Sequence, residues 1–149
     1  MYRRATGRDS WDWWQIRNDP EALFWSNNKR PIQLQEHDHW FSRVLQDANH
    51  LLMVSQDLPL AGDPHTINAY GRVQREIQGE VSFGVAPAVR RQGIGRGMLQ
   101  VLETEASSLG IQRLVAYVHP SNEASMRAFM RQGYVLGGNP GFVRVEKGL

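Results

Sequence analysis

The 149-residue chain contains no cysteine. That excludes disulfides, a cysteine nucleophile and thiolate metal sites, and it suits a reducing compartment. An excess of charge of one sign is also missing, since 17 Lys and Arg stand against 15 Asp and Glu, a net charge of +2. The pI of about 9.3 reflects that small difference, and no nucleic-acid partner is expected from it. No apolar run approaches the roughly 20 residues of a membrane span, and the mean hydropathy is −0.49. The opening MYRRATGRDSWDWW lacks the apolar stretch of a secretory signal. A cytoplasmic protein with no membrane association is expected. The length fits one domain, residues 1–149, able to bury a core without staples.

Hydropathy spacing organises the rest. Tyr2 to Ala5 reads as a short strand, and Asp9 and Ser10 are cap-type residues ahead of a helix ending near Asn18. Pro20 suits the first turn of a short helix through about Ser26. Trp40, Phe41, Val44 and Leu45 mark an amphipathic helix over 34–45, and Leu51 to Ser55 a buried strand. The segment from Asp57 to Gly79 is rich in Pro and Gly turns, with a strand expected over Thr66 to Val73. Val81 to Val85 and Leu114 to Val118 read as strands, and Phe142 to Val145 as the last one. Ile94, Met98, Val101, Leu102, Ala106 and Leu109 share one helical face, with Gly110 as the stop. Asn122 to Gln132 reads as a helix closed by Gly133. Alternating helices and strands imply a layered α/β or α+β domain.

The informative stretch is Val81-Ser82-Phe83-Gly84-Val85-Ala86-Pro87-Ala88-Val89-Arg90-Arg91-Gln92-Gly93-Ile94-Gly95-Arg96-Gly97-Met98. It runs strand, basic glycine-rich turn, helix. A helix starting at about Gly95 presents unpaired N–H groups and the positive end of its dipole, with Arg90, Arg91 and Arg96 around it. That combination suits a pyrophosphate. The dinucleotide fingerprint G-x-G-x-x-G fails because Met98 stands where its last glycine belongs, and the triphosphate-loop G-K-[ST] is absent.

The run Arg90-x-x-Gly93-x-Gly95 after a strand ending Gly84-Val85-Ala86-Pro87 resembles the acetyl-CoA signature of the GCN5-related N-acetyltransferases (GNAT). A second block of that family follows, from Leu114 through His119-Pro120-Ser121-Asn122 to Ser125, with Phe129 and Gly133-Tyr134 beyond it. The resemblance implies a mixed α+β fold, with a central, mostly antiparallel twisted sheet splayed in the middle and flanked by helices. It implies acetyl-CoA as cosubstrate, held through Phe83, Gly84, Val85, Arg90, Arg91, Gln92, Gly93, Ile94, Gly95, Arg96, Gly97, Asn122, Ser125 and Phe129. The activity implied is N-acetylation of a primary amine by direct attack in a ternary complex, with backbone N–H near Val85 polarising the carbonyl. Family members often carry a carboxylate where Glu80 stands, to take the amine proton. Glu76 is the reserve, and His50 and His119 are other candidate bases.

One position departs from the pattern. The family often has tyrosine seven residues after the asparagine, to protonate the leaving thiolate, and here it is Phe129. Ser125 and Tyr134 are the nearby alternatives, and the departure keeps open a non-catalytic acyl-CoA-binding module. On the acceptor side, Arg17-Asn18-Asp19-Pro20, Trp25, His37, Trp40 and Asn49-His50 resemble the sugar-nucleotide amine acetyltransferases of the pseudaminic acid type. That implies a small, nucleotide-linked amino sugar as acceptor, with Trp25 and Trp40 stacking, Arg17 meeting a phosphate and His37 nearby. The competing readings are a protein N-terminal amine as acceptor, and tryptophans that simply fill the core. His37-Asp38-His39 is not a metal site, because residues two apart on a helix do not share a face. A monomer or homodimer is expected.

Overall fold

Residues of alternating polarity form a sheet, and residues of helical period cover its two faces. The computed structural model describes residues 1–56, 66–75, 79–137 and 143–149. Its strands are β1 (Tyr2–Arg4), β2 (His50–Ser55), β3 (Ala69–Gln74), β4 (Gly79–Val85), β5 (Arg113–Val118), β6 (Val135–Gly137) and β7 (Val143–Gly148). The helices are α1 (Ser10–Arg17), α2 (Pro20–Trp25), α3 (Leu34–Val44), α4 (Ile94–Ser108) and α5 (Glu123–Arg131). The sheet order is β1-β2-β3-β4-β5-β7-β6. Every neighbouring pair is antiparallel except β4–β5. No described helix is long and apolar enough to cross a membrane.

Three elements differ from expectation. The third strand runs Ala69–Gln74 rather than Thr66 to Val73. The last strand is Val143–Gly148, and Phe142, expected to open it, lies outside the described residues. Strand β6 was not anticipated, because its three residues are too short to show a period and Val135 and Leu136 are exposed. Asp9 is also not a simple cap. Its buried carboxylate accepts two 2.8 Å bonds from Arg3 and one from the Thr6 N–H, fastening β1 to the start of α1.

Strand alternation decides which face each side chain joins. Ala69, Gly71 and Val73 of β3 are buried on the α4 side, where Met98, Leu99, Leu102 and Ala106 are fully buried. Tyr70 and Arg72 point the other way, toward α1 and α3, and Trp13 stacks on Tyr70 with ring centroids 4.4 Å apart. Helix α4 approaches β3 closely because residue 71 has no side chain. A Cβ there would stand 2.6 Å from Leu102 Cδ1 and 2.7 Å from Met98 Sδ. Gly71→Val is therefore expected to lower stability by about 1–3 kcal/mol through overpacking, measured as the urea midpoint at constant m-value.

Candidate functional site

The basic turn is built from two left-handed residues. Arg91 has φ 64° and Gly93 φ 81°, and α4 begins at Ile94 with Gly93 as its N-cap. A Cβ at Gly93 would meet nothing within 4 Å, so the turn is open there. The N–H groups of residues 91–96 donate to no described residue, while Gly97 N–H closes the first helical turn on Gly93 C=O at 3.0 Å. Successive amides turned one way by such backbone, with the helix dipole behind them, form an anion cradle. The residues present thus fit a pyrophosphate. Arg91 and Arg96 are exposed and have no carboxylate partner among the described residues, and Gln92 is exposed beside them. Ile94 contributes its backbone, since its side chain is buried in the core.

Three residues of this turn have other contacts. Arg90 is already engaged, bonding Asp19 at 2.8 Å, Glu21 at 2.6 Å and the Val85 carbonyl at 3.1 Å. Gly95 allows close packing, since a Cβ there would lie 3.0 Å from Phe83 and 3.3 Å from Val85. Gly97 faces the Tyr2 ring, whose hydroxyl donates to Ile94 C=O at 3.1 Å.

Next to the cradle the sheet opens. Among the described residues, strands β4 and β5 pair at Gly79–Leu114 and Glu80–Val115 and then diverge. The β3–β4 ladder shows which backbone groups face the gap. Ala86 N–H donates to Asn68 C=O at 2.7 Å, and Val85 lies opposite Ala69. Antiparallel ladders alternate bonded and open pairs, so the N–H groups of Val85 and Phe83 turn from β3 toward the gap. Gly84 instead serves Tyr70, whose ring lies 2.7 Å from where its Cβ would be. Across the gap, Asn122 caps α5 by accepting from Ser125 N–H at 3.2 Å. Phe129 is buried, with ring centroids 5.6 Å from Phe83 and 5.0 Å from Tyr134. The Tyr134 phenol is held far above its usual range by burial and by Glu103, which makes it a poor acid.

On the α1/α3 side of β3 and β4 lies a cavity of about 200 Å³, lined by Trp13, Arg17, Ala22, Ser26, Trp40, Tyr70, Arg72 and Ser82. Ser82 sits opposite Arg72 in the ladder, and Glu80 opposite Gln74. Glu80 and Ser82 are two apart on β4, so they share its cavity face. The Glu80 charge acts on Arg72, whose guanidinium burial and Arg17 push below its ordinary range. Tyr70, Arg72 and Ser82 were missed in the sequence. The alternation Tyr70-x-Arg72 was the available signal, obscured by the turn-rich segment around it.

Of the acceptor residues expected, Arg17 and Trp40 line this cavity and Trp25 and His37 do not. Trp25 packs against His119 instead, with ring centroids 5.2 Å apart. His37 is 1% exposed, beneath Trp40 and Phe41. Burial pushes its imidazole below the usual range, Arg17 adds to this, and the Ser10 backbone and Asp38 oppose it. His50 bonds Asp47 at 3.1 Å, and Glu76 lies outside the described residues.

Residues 1–135 match the family model described as the acetyltransferase (GNAT) domain, and the chain belongs to that family. The family is one of acetyltransferases. The uncharacterized N-acetyltransferase YfmK of Bacillus subtilis is 25% identical over 132 residues, 84% of this chain and 86% of that one. A ribosomal-protein-alanine N-acetyltransferase from Brucella melitensis superposes with a TM-score of 0.83 at 22% identity, covering 100% of this chain and 99% of that one. A phosphinothricin acetyltransferase from Sinorhizobium meliloti, solved with acetyl-CoA, gives 0.83 at 17% identity, covering 100% and 88%.

Two outcomes follow from the geometry. Gly97→Ala pushes a methyl into Tyr2, so a loss of about 1–3 kcal/mol is expected in the melting temperature, with acetyl-CoA affinity by calorimetry unchanged. For His37, the folded value lies below the unfolded one of about 6.5, so below that pH the unfolded chain takes up a proton the folded one refuses. Stability is expected to fall from pH 7 to pH 5, by at most about 1.4 kcal/mol per pH unit from this group, and His37→Leu should flatten that part of the urea-midpoint profile.

Proposed function

We propose that this chain transfers the acetyl group of acetyl-CoA to the primary amine of a small molecule seated in the Arg17–Trp40–Arg72 cavity. The observation that carries this reading is that one strand, β4, serves both sides. Its Phe83 and Val85 N–H groups face the splay, and its Glu80 and Ser82 side chains share the cavity face. Acetyl-CoA supplies the activated thioester. The amides of residues 91–96, with Arg91 and Arg96, hold its pyrophosphate, and the N–H groups of Phe83 and Val85 face its pantetheine arm and thioester. Asn122, Ser125 and Phe129 flank the thiol end. Arg90 acts from behind, tying the turn to α2.

The Val85 N–H donates to the carbonyl oxygen as negative charge gathers there. Glu80 takes the proton that the amine must lose, directly or through a water. No cysteine exists to form an acyl-enzyme, which favours direct attack. Neither Phe129 nor Tyr134 is suited to protonate the thiolate, which leaves solvent, reached directly or relayed through the Ser125 hydroxyl. The relatives' names point to different acceptors, a ribosomal-protein alanine in one case and phosphinothricin in another. A cavity of about 200 Å³ walled by aromatic side chains favours a small acceptor. Amino sugars remain within that class; of the residues named for that reading, Arg17 and Trp40 line the cavity and Trp25 and His37 do not.

Thiol release from acetyl-CoA with a panel of amines, including nucleotide-linked amino sugars and N-terminal peptides, tests the reading. With the best acceptor, Glu80→Gln is expected to lower kcat about 10²-fold with acetyl-CoA affinity unchanged. Normal kcat in that variant would remove Glu80 from the mechanism.

A further inference from the structure

We propose that the cavity holds an anion-binding subsite, formed by Arg17 and Arg72 where both pack against Trp40, and that the acceptor is an amine carrying a carboxylate or phosphate. This rests on the reading of the cavity as the acceptor site. Both guanidiniums approach the same ring, Arg17 Cζ at 5.3 Å and Arg72 Cζ at 5.6 Å from its centroid. Elsewhere Arg3, Arg4, Arg90, Arg113 and Arg144 each have a carboxylate within 3.0 Å. Arg17 and Arg72 have none among the described residues, and Arg72 Nε is buried without a hydrogen-bond partner.

Two like charges lining one partly buried space repel each other, and an unpaired buried donor is costly. A bound oxyanion would remove both penalties, since the guanidinium fork matches carboxylate and phosphate oxygens in pairs. Glu80 does not replace it. It lies two residues along β4 from Ser82, the residue opposite Arg72, and it is exposed. An acceptor with its anionic group between the arginines would leave its amine toward Ser82 and Glu80. The volume, about seven waters' worth, suits a small amino acid or the head of a phosphorylated amino sugar.

Matched pairs test this with the whole chain. L-leucine is compared with L-leucinamide, and glucosamine 6-phosphate with glucosamine, by thiol release and by calorimetry in the presence of CoA. The charged member of at least one pair is expected to be favoured about 10–100-fold, and the pair that responds distinguishes carboxylate from phosphate. Arg17→Gln and Arg72→Gln should each remove most of that preference by raising KM, with kcat, acetyl-CoA affinity and melting temperature little changed. Arg72→Lys, which keeps the charge without the fork, should recover only part of it.

Equal use of charged and neutral members overturns the subsite while leaving acetyl transfer intact. So does a preference that survives both glutamine variants, or no binding of either charged probe or of inorganic phosphate. Arginine-dependent binding of a charged probe without acetylation of any amine has the opposite meaning. It supports the subsite and overturns the acetyl-transfer reading of the cavity.

Discussion

Among the described residues, two pairs, Gly79–Leu114 and Glu80–Val115, join the two halves of the sheet. On one side, β1 to β4 form a continuous antiparallel ladder, and on the other β5, β7 and β6 do the same. Past the second pair the strands separate, and the backbone groups on the gap-facing edge of β4 lose their ladder partners. Unpaired backbone groups are costly when buried. Their exposure to an opening is what makes them available to a ligand. Side chains pack around the split, with Phe83 meeting Phe129 and the first turn of α4 packed through Gly95 onto Phe83 and Val85.

Helix α2 depends on the same opening. At six residues it is too short to be stable alone. Asp19 caps it through Ala22 N–H at 3.3 Å, Pro20 fits its first turn, and its acidic N-terminal end is fastened to Arg90 on the β4 lip. Its other end lays Phe24 and Trp25 against His119, beyond the β5 lip. One short helix therefore touches both sides of the splay, and its Ala22 and the neighbouring Ser26 roof the cavity.

The parts legible in the sequence are those where local pattern and local chemistry agree. Helix α4, its stop at Gly110, which has φ 81°, and the strand–turn–helix over 81–98 all follow from spacing and glycine placement. Long-range partnerships were not legible. Arg90 looked like a free cation because its carboxylates lie 69 and 71 residues away in the chain. Gly95 and Gly97 looked like ligand-facing glycines, although the atoms that exclude a side chain there belong to Phe83 and Tyr2. His37 shares a helical face with Phe41 and Val44, a four- and three-residue spacing that marks it as buried. Tyr70 and Arg72 stand in a strand whose surroundings are rich in turn residues, so the alternation that aims them at the cavity was hard to separate from loop.

The prior engagement of Arg90 changes how the turn would hold its ligand. With that guanidinium matched to Asp19 and Glu21, only Arg91 and Arg96 offer full charge there, and both are exposed. Salt screens exposed charges over a Debye length of about 8 Å at physiological ionic strength. Amide dipoles in direct contact with an oxyanion are scarcely screened, because no mobile ion fits between them. On the proposed assignment, the nucleotide end of the cosubstrate is gripped mainly at contact range. Its retention would be nearly indifferent to ionic strength, with long-range attraction left to two surface arginines that speed arrival more than they lengthen residence.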